Sequence, residues 1–90
     1  FYEIEAYGQC TTASGSGTPT ITVTIGWSDD VGATTSAIIN GLSLAATGRS
    51  TNRLFVYSAG TAAITWATAI GGASGTPQYA IRMVAKKVSN

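Results

Sequence analysis

The chain predicts an all-β fold, a single antiparallel β-sandwich of jelly-roll-like type, with an immunoglobulin-like sandwich as the alternative. Three observations lead there. Apolar residues recur with period two in most of the apolar runs, and no helical period of 3.6 competes with it. Clusters of Gly, Ser and Thr interrupt these runs at short spacing, as the turns of all-β folds do. Both prolines, Pro19 and Pro77, stand just ahead of an alternating run, where a strand loses no ladder hydrogen bond to them.

In the opening run, Tyr2, Ile4, Ala6 and Gly8 alternate with Glu3, Glu5, Tyr7 and Gln9, which sets the first group inward and the second outward. Cys10 continues the inward set and reads as a small buried apolar residue. The phrase "ASGSGTP" at 13–19 is a turn. Residues 20–28 give the clearest strand, with Ile21, Val23, Ile25 and Trp27 on one face and Thr20, Thr22, Thr24 and Gly26 on the other. Residues 34–44 and 52–58 alternate more weakly. "TGRST" and "SAGT" read as turns, with Arg49 and Arg53 flanking the first. Residues 62–70 set Ile64, Trp66 and Ile70 against the small Ala63, Ala67 and Ala69. After the turn "ASGTP" at 73–77, Tyr79, Ile81, Met83 and Ala85 alternate with Gln78, Arg82 and Lys86. The two Ser-Gly-Thr-Pro phrases are alike, but loops of this composition converge easily.

Ninety residues form one domain, taken as residues 1–90 and, since it opens inside a strand-like run, as the C-terminal piece of a longer chain. Only 10% of residues are charged, against roughly 25% in ordinary soluble domains. A surface built from Thr, Ser, Asn, Gln and Gly repels its own copies weakly, which favours association. A net charge of +1 excludes an electrostatic footprint for nucleic acid. No apolar run is long enough to predict a membrane span. One cysteine permits neither an internal disulfide nor a cysteine-rich zinc site.

Asp29 and Asp30 are the most suggestive pair of polar residues. Paired carboxylates serve glycoside hydrolysis only when they stand about 5 Å or more apart across a cleft. Neighbours at a strand end diverge instead, and Asp followed by Val31-Gly32 is turn chemistry. They also lack the Asp/Asn-rich loop of a calcium site. With no histidine in the chain, Ser-His-Asp and Cys-His arrangements are excluded within one copy. No phosphate-binding glycine motif precedes a helix. The sequence therefore predicts no catalytic residue, no metal site and no cofactor.

Aromatic residues offer the remaining chemistry. Trp27, Trp66 and Tyr79 share strand faces with Ile and Val and are expected in the core. Tyr7, Phe55 and Tyr57 are freer. In "RLFVYS" both faces are apolar, Leu54 and Val56 against Phe55 and Tyr57, as in a strand covered on both sides. Tyr7, Leu54, Phe55, Val56 and Tyr57 are therefore the candidate interface or ligand surface. Arg82, Lys86 and Lys87 give the final strand a basic, solvated end.

The runs "FYEIEAY", "TTASGSGTPTITVTIGWSDDVG" and "ITWATAIGGASGTPQYAIRMVAKKV" together resemble small C-terminal β-domains of tailed-bacteriophage virion proteins, of the tail-fibre, spike or capsid-decorating kind. The resemblance covers most of the chain and is strongest at 19–32 and 62–88. It implies a non-enzymatic structural module in the virion, an extracellular particle. Such a module would associate with its own copies, a trimer being favoured, or with other virion proteins. It brings no catalytic or metal residue. Domains of this kind usually have further strands upstream of the tyrosine-rich one, so strands are expected from elsewhere. The alternative is a glycan- or receptor-binding module that stacks Tyr7, Tyr57 or a tryptophan on a host polysaccharide.

Overall fold

The computed structural model describes residues 1–61, 63–72 and 75–88. Six strands follow one another with no helix among the described residues: β1 (Tyr2–Thr12), β2 (Thr20–Ser28), β3 (Ala33–Ser43), β4 (Gly48–Val56), β5 (Thr65–Gly71) and β6 (Gln78–Lys87). They form two antiparallel three-stranded sheets, ordered β4-β1-β6 and β3-β2-β5. The architecture is thus a small antiparallel β-sandwich, as alternation predicts, with fewer strands than jelly rolls or immunoglobulin domains use. Its long dimension is 46 Å against 20 and 14 Å.

Burial follows the alternation on the central strands. Ile4, Ala6 and Cys10 of β1 and Ile21, Val23 and Ile25 of β2 are buried. They meet Ile38, Ile39, Leu44 and Val56 to form the core. Gly8 belongs to the inward set, where a larger residue would have to displace its neighbours' side chains. A Cβ there would stand 2.8 Å from Ile39 Cδ1 and 3.1 Å from Ile81 Cδ1.

β3 explains why its own run alternates poorly. Its register with β2 shifts twice, so Val23 faces Ile39 and the next residue, Thr24, faces Ala37. The extra residue lets the adjacent Ile38 and Ile39 both turn into the core. A second shift precedes it at Gly41, whose φ of 75° suits glycine and whose N–H donates to Thr22 Oγ1 at 3.2 Å.

The segment 47–51 departs from expectation. From Gly48 on it is strand rather than turn: β4 begins there, so Arg49 and Arg53 lie along that strand instead of flanking a bend. Pairing with β1, where Gln9 faces Arg49 and Cys10 faces Gly48, recruits residues whose local composition favours a turn. The bend falls at 44–46 instead. The run read at 62–70 is shifted as well: β5 starts at Thr65, and Ala62 lies outside the described residues, whereas the final run forms β6 from Gln78 as its alternation predicts. The two like loops touch, Thr76 N–H donating to the Ser14 carbonyl at 3.4 Å. Ala73 and Ser74 of the second lie outside the described residues.

The sheets come together most closely along one side, with Ile81 and Met83 of β6 packing at the margin of the core. β3 packs on β4 and β1, and the core concentrates there. On the other side, β5 and β6 form the free edges of their sheets and a cleft opens between them.

Candidate functional site

Two surfaces carry chemistry. The first is the outer face of the β4-β1-β6 sheet. Register places Glu3 between Phe55 and Lys86, Glu5 between Arg53 and Val84, and Tyr7 between Thr51 and Arg82. Alternation predicts Glu3 on this outer face, yet the residue is only 7% exposed. Its neighbours cover it. Lys86 Nζ lies 3.0 Å from Glu3 Oε1, and Arg53 Nη1 lies 3.4 Å from Oε2. The hydrogen bond to Glu3, reinforced by the charges of Glu3 and Glu5, raises the pKa of Lys86 above its ordinary value.

Beside this ion-pair cluster lies an open depression of about 520 Å³, lined by Glu5, Tyr7, Thr51, Arg53, Arg82 and Val84. Tyr7 is half-buried within it. A ring, two guanidinium groups and a carboxylate around one shallow concavity can stack on a sugar and hydrogen-bond its hydroxyls.

The candidate surface residues do not gather into one patch. Tyr7 sits in the depression. Phe55, 49% exposed, stands two rows away with its ring stacked on Phe1, centroids 5.7 Å apart and planes within 6°. Tyr57 follows the end of β4 and is exposed. Leu54 is half-buried against the core. Val56 is in the core itself at 1% exposure, so it supplies no free surface. It faces Tyr2 across the sheet, where β3 and β2 close over it, so the doubly apolar strand is covered on its Leu54/Val56 side within the domain.

The second surface is the cleft between β5 and β6, about 210 Å³, lined by Ile4, Ile25, Ile64, Trp66, Met83 and Ala85. Here the structure corrects the sequence. Trp66 is 60% exposed, and Ile70 and Tyr79 are also exposed, although all three occupy inward strand positions. They point toward the interior side of their sheets, but no opposite layer reaches them. Trp27, by contrast, is half-buried and packs on the core.

Comparison with protein-family models, with curated proteins and with solved structures finds no match.

The acidic pair is a turn. Asp29 Oδ1 accepts from Val31 N–H at 2.9 Å and Gly32 N–H at 3.2 Å, and Asp29 N–H donates to the Gly32 carbonyl at 3.1 Å. This local bonding closes the β2–β3 connection. Asp30 is exposed beside it. Cys10 is buried at 3% exposure, its thiol directed to the carbonyl of Thr12 at 3.3 Å. Among the described residues, no group of three or more His, Cys, Asp or Glu side chains could hold a metal ion. No described helix is long and apolar enough to cross a membrane.

The site missed by sequence reasoning is the β5–β6 cleft. One signal was present: β5 combines Trp66 and Ile70 with no charge, whereas the edge strands β4 and β6 carry several.

Proposed function

We propose that this chain is a non-enzymatic assembly module, which works by joining copies of itself or other proteins through surfaces its own fold leaves uncovered. The observation that carries this is the open side of the sandwich. Trp66 and Ile70 occupy inward positions on an edge strand yet remain 60% and 43% exposed. Contiguous exposed apolar surface beside an unpaired strand edge is what protein–protein contacts use. The low charge content and a net charge of only +1 support the same function, since little repulsion opposes association. The setting we propose is the virion of a tailed bacteriophage, as a decoration, fibre or spike domain; it rests on the sequence resemblance.

Light scattering of the purified chain across a dilution series tests this. Association that grows with concentration supports the module. A chain that stays monomeric, and that also binds none of the particle proteins it is mixed with, overturns it. The Phe55→Asp, Tyr57→Asp double variant asks whether the β4 end contributes; unchanged association would remove those two residues from the interface.

A second function is favoured by the depression around Tyr7, flanked by Arg53 and Arg82: recognition of a host glycan. Titrating polysaccharide while following intrinsic fluorescence tests it. A saturable shift that Tyr7→Ala removes supports glycan binding, and a shift that survives Tyr7→Ala excludes this ring from it.

A further inference from the structure

The four sheet edges are not equivalent. β4 carries Arg49 and Arg53, and β6 carries Arg82, Lys86 and Lys87. β3 is interrupted by two register shifts and lies against β4 and β1. Charges, bulges and cover are the devices that keep an edge strand from pairing with another chain. β5, with sequence TWATAIG, has none of them. It holds no charge and no proline, its register with β2 is unbroken from Thr20 to Gly26, and all seven of its residues are exposed. Among the described residues its one strand partner is β2, which leaves its far edge open to a further strand.

We propose that β5 pairs antiparallel with β5 of a second copy, about a two-fold axis through Thr68, to give one continuous six-stranded sheet. The proposal rests on the assembly function above and names its partner and its contact. With the axis at Thr68, Trp66 of each copy faces Ile70 of the other, Thr68 faces Thr68, and Ala67 faces Ala69. Trp66, Thr68 and Ile70 are all on the inner face, opposite Ile25, Val23 and Ile21 of β2. Aromatic with β-branched and Thr with Thr are favourable cross-strand pairs. The outward Ala67 and Ala69 are small enough to leave the backbones unhindered.

Charge selects a copy as the occupant. β5 has no charge to repel its own image, whereas β4 or β6 set against itself would bring Arg and Lys rows together. Both inner faces then lie on the same side of the joined sheet, so the two apolar clefts adjoin. A two-fold contact closes at two copies. It replaces the trimer that a fibre tip would use.

The test compares the solution mass of the wild-type chain with that of Thr68→Lys and of Thr35→Lys, a control on the exposed part of the β3 edge. Thr68 is exposed, so the lysine leaves the core untouched, and the far-UV spectrum and melting of dilute protein verify the fold. The wild type and Thr35→Lys should form dimers as concentration rises, while Thr68→Lys needs at least about tenfold more protein to do so, equivalent to about 1.4 kcal/mol. Amide hydrogen exchange gives an answer independent of any variant: wild-type β5 amides gain protection with concentration, and β4 and β6 amides do not. Association that persists in Thr68→Lys, a wild-type trimer, or protection gained elsewhere than β5 overturns the β5 pair and leaves the assembly function standing. A wild-type chain monomeric at every concentration overturns the β5 pair by itself, and overturns the assembly function as well only if no particle protein binds.

Discussion

The two sides of this sandwich use the same strand chemistry with opposite results. Along β1, β3 and β4, inward Ile4, Ile39 and Val56 are sealed by the facing sheet. Along β5 and β6, inward Trp66, Ile70 and Tyr79 stay exposed, although each alternates in register as faithfully as the buried set. The difference is not hydrophobicity. It is whether an opposite layer stands within reach: the sheets pack most closely on the β3–β4 side, and the half-buried Ile81 and Met83 of β6 mark the margin of that contact. A strand with an apolar inner face and no cover retains its hydrophobic free energy for another molecule.

Breaking the closed side should give the largest effect. Ile39→Ala removes a side chain 1% exposed at the centre of the core and should cost about 2–5 kcal/mol in urea unfolding. Gly8→Val comes next. Its new atoms press on the Cδ1 ends of buried Ile39 and half-buried Ile81, which must shift to admit them, for a loss of about 1–3 kcal/mol in the same assay. Asp29→Ala strips two amides of their acceptor at the turn and should lower stability by about 1 kcal/mol.

The open side should answer differently. Trp66→Ala, for all the size of the residue removed, should change the melting of the dilute chain by less than about 1 kcal/mol, because most of the ring already meets water. A loss as large as that of Ile39→Ala would show that the cleft is closed in solution and would dissolve the contrast.

The smallest effect lies on the outer face. Because Glu3 raises the pKa of Lys86 in the folded chain, the pair's contribution is fully present below the ordinary value of 10.5 and fades as pH rises through the raised one. Thermal melts from about pH 9 to about pH 12 should show this decline, and Glu3→Gln should remove most of the Lys86 share of it, leaving the part due to Glu5. Lys86 is exposed, so the decline should be slight.

Much of the fold was legible before any coordinates. Alternation assigned Ile21, Val23, Ile25, Ile4 and Cys10 to the interior, and the chemistry of Asp followed by Gly marked the β2–β3 turn. Ile38 and Ile39 were harder, because a register shift turns adjacent residues the same way and erases the pattern that would announce them. Glu3 was placed on its correct face, but its burial depends on Lys86 and Arg53, which lie more than forty residues away. Alternation along a single strand cannot show that Val56 is sealed beneath β2 and β3 while Phe55 rests on Phe1.

The sequence by itself determined the class of the fold, the inward and outward set of each central strand, and the poverty of charge that favours association. These follow from local rules: period two, turn residues and composition. Only the tertiary structure decided which inward faces are covered. It lengthened β4 through the "GRST" segment, buried Val56 and left Trp66 at the mouth of a cleft. The physical reason is that alternation fixes the direction of a side chain within its own strand, whereas burial requires a second surface whose position is set by the whole chain.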